Sequence, residues 1–132
     1  MAITGAKNEN YIQKTAAFKG ITLGNAATTH SSGVIIPVGA IITGAKLMAP
    51  SANTTTDASA TIQLRVGTNS IISTTKINAA VGAVTIPITL TLNQAGGVYV
   101  PASGELNMIV SASSVSACTA VVDVYVDYLY VV

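Results

Sequence analysis

Few side chains in this 132-residue chain could carry out catalytic chemistry. His30 is the only histidine, and it lies in the segment TTHSSG beside two serines. A serine, His30 and an aspartate could form a nucleophilic triad, but triads are recognised by their geometry, and no G-x-S-x-G nucleophile elbow occurs. A lone histidine among serines and threonines is typical of a solvated loop. The sequence therefore predicts a protein that is not an enzyme.

Two aspartates near the C-terminus fail the spacing test for an acid–base pair. Asp123 and Asp127 are four residues apart, which separates them by roughly 13 Å along a strand. The paired carboxylates of glycosidases lie about 5–9.5 Å apart. Either aspartate could still pair with Asp57 or Glu105 from another strand, and the sequence leaves that open. The alternative is that both aspartates interrupt an apolar strand and so discourage its aggregation.

Metal and cofactor motifs are missing from the sequence. One cysteine, Cys118, and one histidine cannot supply the ligands of a zinc site. Neither of the two glycine motifs that bind phosphate, G-x-x-x-x-G-K-[ST] and G-x-G-x-x-G, is present. We therefore expect no cofactor and no metal ion, and we expect Cys118 to be a small buried hydrophobic side chain.

Tyrosines are the remaining candidates for recognition. Tyr125, Tyr128 and Tyr130 crowd the last predicted strand, and aromatic side chains are enriched at protein interfaces. Because the chain has no tryptophan and its tyrosines fall on both strand faces, packing in the core and between subunits is favoured over a sugar-binding platform. Tyr125 shares its face with Asp123 and Asp127, which predicts a partly exposed contact residue.

The first 20 residues differ in charge from the rest of the chain. They contain three lysines and one glutamate, a net charge of +2, whereas residues 21–132 contain three cations and four carboxylates, a net charge of −1. Two interpretations remain open for residues 1–20: a solvated arm or first strand, and a segment that docks on another subunit. Residues 21–132 are predicted to form the folded domain. The predicted partner-contact residues are Lys7, Tyr11, Lys14, Lys19, Asp123, Tyr125 and Asp127.

Composition narrows the class of protein. Hydrophobic residues make up 50% of the chain and charged residues only 8%, against about 25% in ordinary domains. High hydropathy with so few charges excludes a disordered chain, and a net charge of +1 argues against a nucleic-acid partner. No stretch approaches the roughly 18 apolar residues of a membrane-spanning helix, and the first 20 residues lack the apolar run of a signal peptide. We therefore expect synthesis in the cytoplasm and no membrane partner.

Alternating hydrophobic residues predict strands along most of the chain. The segment 60–67 places Ile62, Leu64 and Val66 on one face, and 105–111 does the same with Leu106, Met108 and Val110. The run 119–132 has an apolar even face, Val122, Val124, Val126, Tyr128, Tyr130 and Val132, and a mixed odd face. Pro87 places the segment 84–92 at a sheet edge or a bulge. Further strands are predicted at 11–23, 34–38, 40–49, 69–77 and 97–101.

Turn residues separate these strands. Segments rich in Gly, Pro, Asn and Ser predict turns at 25–33, 49–59, 93–97 and 101–104, with a weaker break at 78–82. Eight or nine short strands with turns every 8–14 residues predict an all-β, single-domain antiparallel sandwich of jelly-roll type. An immunoglobulin-like topology is the alternative, although the Cys–Trp–Cys signature is missing.

Four segments resemble small β-sandwich virion proteins of tailed bacteriophages. They are IPVGAIITG (36–44), ATIQLRVGT (60–68), VPASGELNMIVS (100–111) and AVVDVYVDY (120–128). Members of that family that are encoded near capsid genes decorate or cement the head, and related sandwiches occur in fibres. The resemblance implies a capsid decoration protein, made in the host cytoplasm and located on the virion surface. It would bind the major capsid protein or other virion subunits at capsomer junctions, as a homo-oligomer.

Two other functions remain as alternatives to decoration. The first is a tail-fibre or receptor-binding module that recognises host carbohydrate. The second, more remote, is a small hydrolase built on the same sandwich, with His30 and the aspartates as its candidate residues.

Overall fold

A computed structural model describes residues 11–22, 27–49, 59–72, 75–78, 84–111 and 121–131. These residues form strands and turns, and none of them lies in a helix, so no described helix is long and apolar enough to cross a membrane. The strands are β1 (Tyr11–Thr22), β2 (Thr28–Ile36), β3 (Ile41–Ala49), β4 (Ser59–Val66), β5 (Asn69–Ser70), β6 (Thr75–Asn78), β7 (Val84–Thr89), β8 (Val98–Tyr99), β9 (Gly104–Val110) and β10 (Val121–Val131).

The strands form two antiparallel sheets. In the first sheet the order is β1-β10-β3-β7, with β8 also pairing to β3, and in the second it is β2-β9-β4-β5, with β6 also pairing to β4. This pairing is that of one long hairpin rolled up on itself. From its open end to its tip, β1 pairs with β10, β2 with β9, β3 with β7 and β8, and β4 with β5 and β6. This is a jelly roll. The predicted fold is confirmed, and the immunoglobulin-like alternative is wrong.

Strand alternation places the core as predicted. In β4 the side chains of Ile62, Leu64 and Val66 are buried, and so are those of Leu106 and Met108 in β9. The even residues of β10 from Val122 to Tyr128 are buried as well, while Tyr130 packs against the edge of the core; Val132 lies outside the described residues. Full burial of one aliphatic side chain contributes roughly 1.5–3 kcal/mol, so these inner faces hold the two sheets together.

Pro87 lies in an edge strand, as predicted. Its strand, β7, is at the end of the first sheet, and within the described residues it pairs only with β3. The register between β3 and β7 shifts between Leu47 and Ala49. Because proline cannot donate a backbone hydrogen bond, an edge strand with one unpaired side accommodates it.

The turn predicted at 25–33 is wrong for residues 28–33, which form part of a strand. Residues 28–33 belong to β2, where the pairing with β9 shifts register between Ser31 and Ile35. The Ser- and Gly-rich sequence forms a bulge there: Gly33 has a φ of 72°, and the Ser31 Oγ accepts a hydrogen bond from its N–H at 3.0 Å. Turn-forming residues therefore bend an edge strand instead of ending it.

Other boundaries differ in detail. Ten strands are described instead of eight or nine, because the predicted strand 69–77 is present as the two strands β5 and β6. The turn at 93–97 is confirmed, and the turn predicted at 101–104 ends one residue earlier because β9 begins at Gly104. Residues 50–58, 79–83 and Cys118 lie outside the described residues. The predicted division after residue 20 falls inside β1, which belongs to the first sheet and contributes Ala16 and Phe18 to the core.

Candidate interaction surfaces

The outward face of the first sheet brings together most of the predicted contact residues. Odd-numbered residues of β1 pair with odd-numbered residues of β10: Tyr11 with Val131, Thr15 with Asp127, and Ala17 with Tyr125. The even-numbered residues of β10 from Val122 to Tyr128 are buried, so the odd ones point away from the core. Since β1 and β10 are neighbours, an N-terminal and a C-terminal segment share one surface.

A polar cluster of Lys19, Asp123 and Tyr125 occupies one end of this face. The Lys19 Nζ donates a hydrogen bond to the Tyr125 hydroxyl at 2.9 Å and lies 3.8 Å from the Asp123 carboxylate. The same Nζ is 5.3 Å from the centre of the Tyr125 ring, but because it is bound at the hydroxyl, the contact is a hydrogen bond at the ring edge and not a cation–π interaction. That hydrogen bond, followed by electrostatic interactions with Tyr125 and Asp123, raises the pKa of Lys19 above its usual 10.5.

Asp123 also organises the backbone of β1. Its Oδ1 accepts a hydrogen bond from the Gly20 N–H at 2.7 Å. Gly20 has a φ of 67° and lies where the pairing of β1 with β10 shifts register between Phe18 and Ile21. The carboxylate thus satisfies a backbone donor that the bulge removes from the sheet, and glycine is needed because other residues rarely adopt this conformation.

Asp127 is fixed at the middle of the face. Its Oδ1 accepts a hydrogen bond from the Thr15 hydroxyl at 2.5 Å, and its backbone carbonyl accepts one from Thr43 at 3.3 Å. Asp127 lies opposite Gly44 of β3, where an added Cβ would be 3.6 Å from the carboxylate, an ordinary contact distance. Both aspartates are therefore bound to β1 by hydrogen bonds, a role beyond interrupting an apolar strand.

Lys14 lies on the other side of β1. It pairs with Tyr128, and its Nζ is 5.8 Å from the centre of the Tyr130 ring. Tyr130 in turn stacks on Tyr128 with ring centres 6.0 Å apart. Because β1 is an edge strand, a lysine on its inward side discourages pairing with a strand of another chain. Lys7 lies outside the described residues.

Six large hydrophobic side chains, here called the apolar end, are exposed at one end of the sandwich within the described residues, and local sequence patterns largely failed to predict them. Only Tyr11 of the six was among the predicted contacts. The six side chains, with their exposed fractions, are Tyr11 (60%), Ile35 (61%), Val38 (61%), Ile41 (37%), Tyr99 (60%) and Val131 (45%).

Strand pairing places these six residues at one end of the sandwich. Tyr11 at the start of β1 pairs with Val131 at the end of β10, and Ile41 at the start of β3 pairs with Tyr99. Val38 lies in the turn before β3, where the Gly39 N–H donates to the carbonyl of Val100 at 2.8 Å. Ile35 lies at the end of β2, directly before that turn, but it pairs with Glu105 and therefore faces outward from the second sheet. The polar cluster is at the other end of the same strands.

The outward face of the second sheet is polar. Ser31 donates a hydrogen bond to Glu105, Arg65 donates to Gln63 at 3.0 Å, and Gln63 donates to Ser70 at 3.3 Å. The Arg65 Nε is buried and has no hydrogen-bond partner within the described residues. These contacts link side chains within and between neighbouring strands of the face.

No catalytic arrangement is present in the described part of the chain. His30 lies in β2 and not in a loop, is half-buried, and hydrogen-bonds to the hydroxyl of Thr28 at 2.9 Å and to no described carboxylate. Asp123 and Asp127 belong to the first sheet and Glu105 to the second, while Asp57 lies outside the described residues. The described residues contain no group of three His, Cys, Asp or Glu side chains that could hold a metal ion.

Comparison with known proteins gives a fold and no family. No protein-family model matches the chain, and no curated protein is significantly similar to it in sequence. Among solved structures, a chain of the "Cyanophage Pam1 capsid asymmetric unit" is similar with a TM-score of 0.56 and 20% identity, covering 98% of this chain and 91% of that chain. The two chains therefore share a fold over nearly their whole lengths.

Two further structures are less similar. A chain of "Structure of infectious bursal disease virus Gx strain" has a TM-score of 0.43 and 12% identity, covering 92% of this chain and 31% of that chain. A chain of "Crystal structure of infectious bursal disease virus VP2 subviral particle" has a TM-score of 0.37 and 11% identity, covering 95% and 42%. These scores are too low to establish a shared fold.

Proposed function

We propose that this chain is a structural virion protein that decorates and stabilises the capsid of a tailed bacteriophage by binding at capsomer junctions. The observation that supports this function best is the similarity to a chain of the cyanophage capsid, which covers 98% of this chain and 91% of the other. The match extends over nearly the whole length of both chains, which supports a similar structural role. In this proposal the protein has no catalytic activity and no cofactor, and it is made in the host cytoplasm.

The mechanism is mass action. A protein that binds the assembled lattice and not its separated subunits stabilises the lattice by its binding free energy, about 2.7 kcal/mol per site when its concentration is 100 times the dissociation constant. The outward face of the first sheet offers the contacts for this binding, with hydrogen bonds already holding Lys19 and Asp127 in place. Because both are held, fewer side chains lose freedom on docking.

The proposed lattice contacts include the N-terminal segment. They are the residues predicted from the sequence: Lys7, Tyr11, Lys14, Lys19, Asp123, Tyr125 and Asp127. Since β1 begins at Tyr11 and supplies Phe18 to the core, a test by deletion should remove only residues 1–10. We expect this truncated chain to keep its sandwich and to occupy fewer sites on the particle. Unchanged occupancy would contradict a docking role for the segment.

Copy number per particle tests the proposed function itself. Quantitative mass spectrometry of purified virions should find this chain in hundreds of copies, in constant ratio to the major capsid protein. A handful of copies would instead indicate a tail or fibre location. Particles that lack the chain should also lose their DNA at a lower temperature than complete ones, and re-addition of the purified protein should reverse that loss.

A further inference from the structure

We propose that the first sheet docks on the virion through an uncharged apolar patch on its outward face, and that this patch fits an apolar surface of a different virion subunit. The first-sheet patch consists of Tyr11, Ile41, Tyr99, Leu129 and Val131. Leu129 is half-buried, and the other four side chains are exposed. This docking mode rests on the virion function proposed above and names the part of the surface that would supply most of the binding energy.

Strand pairing makes the first-sheet patch contiguous. Leu129 of β10 pairs with Ile41 of β3, and Ile41 pairs with Tyr99 of β8, so one row of outward side chains crosses three strands. Val131 is two residues beyond Leu129 and pairs with Tyr11 of β1. The four exposed side chains leave roughly 400 Å² uncovered, the size of the largest patch on a typical soluble monomer, and such a patch is often functional.

A second copy of this chain is a poor fit for the first-sheet patch. Two such patches packed against each other would bury roughly 800 Å², below the about 1,200 Å² of a specific and stable interface. A two-fold interface also places a surface against itself. Because the patch lies at one end of the sheet face, the rest of that face, with Tyr125 and Asp127, would extend beyond the contact and stay uncovered.

The complete outward face has the area that a stable interface needs. Four strands about 4.8 Å apart, and the 11 residues of β10 at about 3.3 Å each, outline up to roughly 700 Å². A standard interface takes about 800 Å² from each partner. The polar part of the face alone is too small, so a subunit that covers both parts is the better occupant. Its apolar contact would exclude water, and Asp127 beside Leu129 would help to set its orientation.

Tyr99 is the side chain of the patch that we expect to contribute most. It is 60% exposed, and tyrosine is enriched among the few residues that dominate the binding energy of interfaces. The neighbouring Ile41 is closely packed on Gly97, since an added Cβ at Gly97 would lie 2.8 Å from the Ile41 Cγ2. A surface that is already held in place loses little conformational entropy on docking.

Lysine substitutions on the two sheets form a matched test with the full-length protein. Each purified protein is added to particles that lack this chain, and bound protein is measured against concentration. Tyr99→Lys, and separately Val131→Lys, should weaken binding at least about 30-fold, because each places an unpaired charge in an apolar contact. Ile35→Lys makes the same kind of change at a side chain that is 61% exposed but faces outward from the second sheet, and it should bind like the wild type.

Thermal unfolding of each variant shows whether it has folded, so weaker binding by a folded variant is attributable to the surface. Undiminished binding of the Tyr99 and Val131 variants would overturn the proposed docking mode, and so would equal weakening by Ile35→Lys. If Tyr99→Lys lowered the sedimentation mass of the free chain and left particle binding unchanged, the patch would be a contact between copies, which would also overturn it. These three outcomes leave the proposed function intact.

A different result would overturn the proposed function. A folded wild-type chain that binds no particles, together with a handful of copies per virion, would remove the lattice as a partner and this docking mode with it. Binding by the wild type and its loss in the two first-sheet variants would support both.

Discussion

The two ends of one sheet face differ in how their side chains are satisfied. At the polar cluster, Lys19, Asp123 and Tyr125 bind one another and the backbone of Gly20, so their hydrogen-bonding groups are occupied within the chain. At the apolar end, Ile41 and Tyr99 are adjacent and exposed. Roughly 20 Å of strand separates the two regions. The same sheet therefore has one end that is complete in the single chain and one end that leaves apolar surface to be covered.

Glycines make this comparison testable, since glycines with a positive φ lie at both ends. Gly97 has a φ of 116° beside the apolar end, and Gly20 has a φ of 67° beside the polar cluster. An added Cβ at Gly97 would lie 2.8 Å from the Ile41 side chain and 3.1 Å from the carbonyl oxygen of Ile42, whereas one at Gly20 would meet nothing within 4 Å.

The largest effect is expected for Gly97→Ala. The methyl group would combine backbone strain with a clash against a carbonyl oxygen that the β3–β8 pairing holds in place, at a cost of about 2–4 kcal/mol. Chemical denaturation measures the loss in the free energy of unfolding. The matched control is Gly96→Ala, because Gly96 has open space for a Cβ and no positive φ. Equal losses in the two variants would contradict the role assigned to the packing of Ile41 on Gly97.

A smaller loss, about 1–2 kcal/mol, is expected for Gly20→Ala. Here only the left-handed conformation opposes the substitution, because the space is open. Gly20→Asn should recover part of the loss, since asparagine tolerates this conformation better than alanine. If Gly20→Ala proved as costly as Gly97→Ala, the polar cluster would be as tightly packed as the apolar end, and the comparison would fail.

Asp123→Ala should cost about 1 kcal/mol. The substitution leaves the Gly20 N–H without its acceptor and removes the carboxylate near Lys19. Asp123→Asn keeps an acceptor oxygen and should cost less. Urea denaturation of the two variants at neutral pH measures the difference. An Asn variant as unstable as the Ala variant would show that charge, and not the hydrogen bond to the bulge, is what β1 requires.

The smallest effect is expected for Lys19→Met, and it should depend on pH. The pKa of Lys19 is raised above 10.5 by its hydrogen bond to Tyr125 and by electrostatic interactions with Tyr125 and Asp123, so the charged form is favoured in the folded chain. Its contribution to stability is complete at neutral pH and disappears as the pH rises above 10.5 through the folded-state value.

Denaturation of the wild type and the Lys19→Met variant between pH 7 and pH 11 would measure this contribution. Lys46→Met is the matched control, because Lys46 pairs with Tyr125 across the same face without an ion pair in the described part of the chain. A difference between wild type and the Lys19 variant that shrank below pH 9 instead of above pH 10 would contradict the assignment.

Much of the fold could be predicted because alternation and burial coincide. In β4, β9 and β10 the core-facing residues are Ile62, Leu106 and Val124, together with the hydrophobic residues two positions away from each. A one-residue shift in strand register would expose all of these side chains, so the hydrophobic pattern decides which face is buried. Pro87 marked an edge strand for an equally local reason. The turn predicted at 25–33 was wrong for residues 28–33 because Ser and Gly occur in β-bulges as well as in turns. Local composition does not distinguish a bulge from a turn.

The candidate surface could be predicted only in part. Asp123, Tyr125 and Asp127 share a face by their spacing alone, whereas their contacts with Lys19 and Thr15 join residues more than 100 positions apart. For Ile41 and Tyr99 no local signal existed. Each lies in an apolar run that predicts burial, and both are exposed because they face outward from the first sheet while their neighbours Ile42 and Val98 face the core.

What the residues alone establish about this protein is its class: an all-β sandwich with little charge, no constellation for catalysis, and strands whose inner faces are decided by a period of two. Local chemistry suffices for this, because alternation and turn residues act over a few neighbours. The tertiary structure decided which surfaces exist. Rolling one long hairpin into a jelly roll pairs β1 with β10, joins Lys19 to Asp123 and Tyr125, and gathers Tyr11, Tyr99 and Val131 at one end. Those contacts depend on pairings between distant segments, which no local pattern encodes.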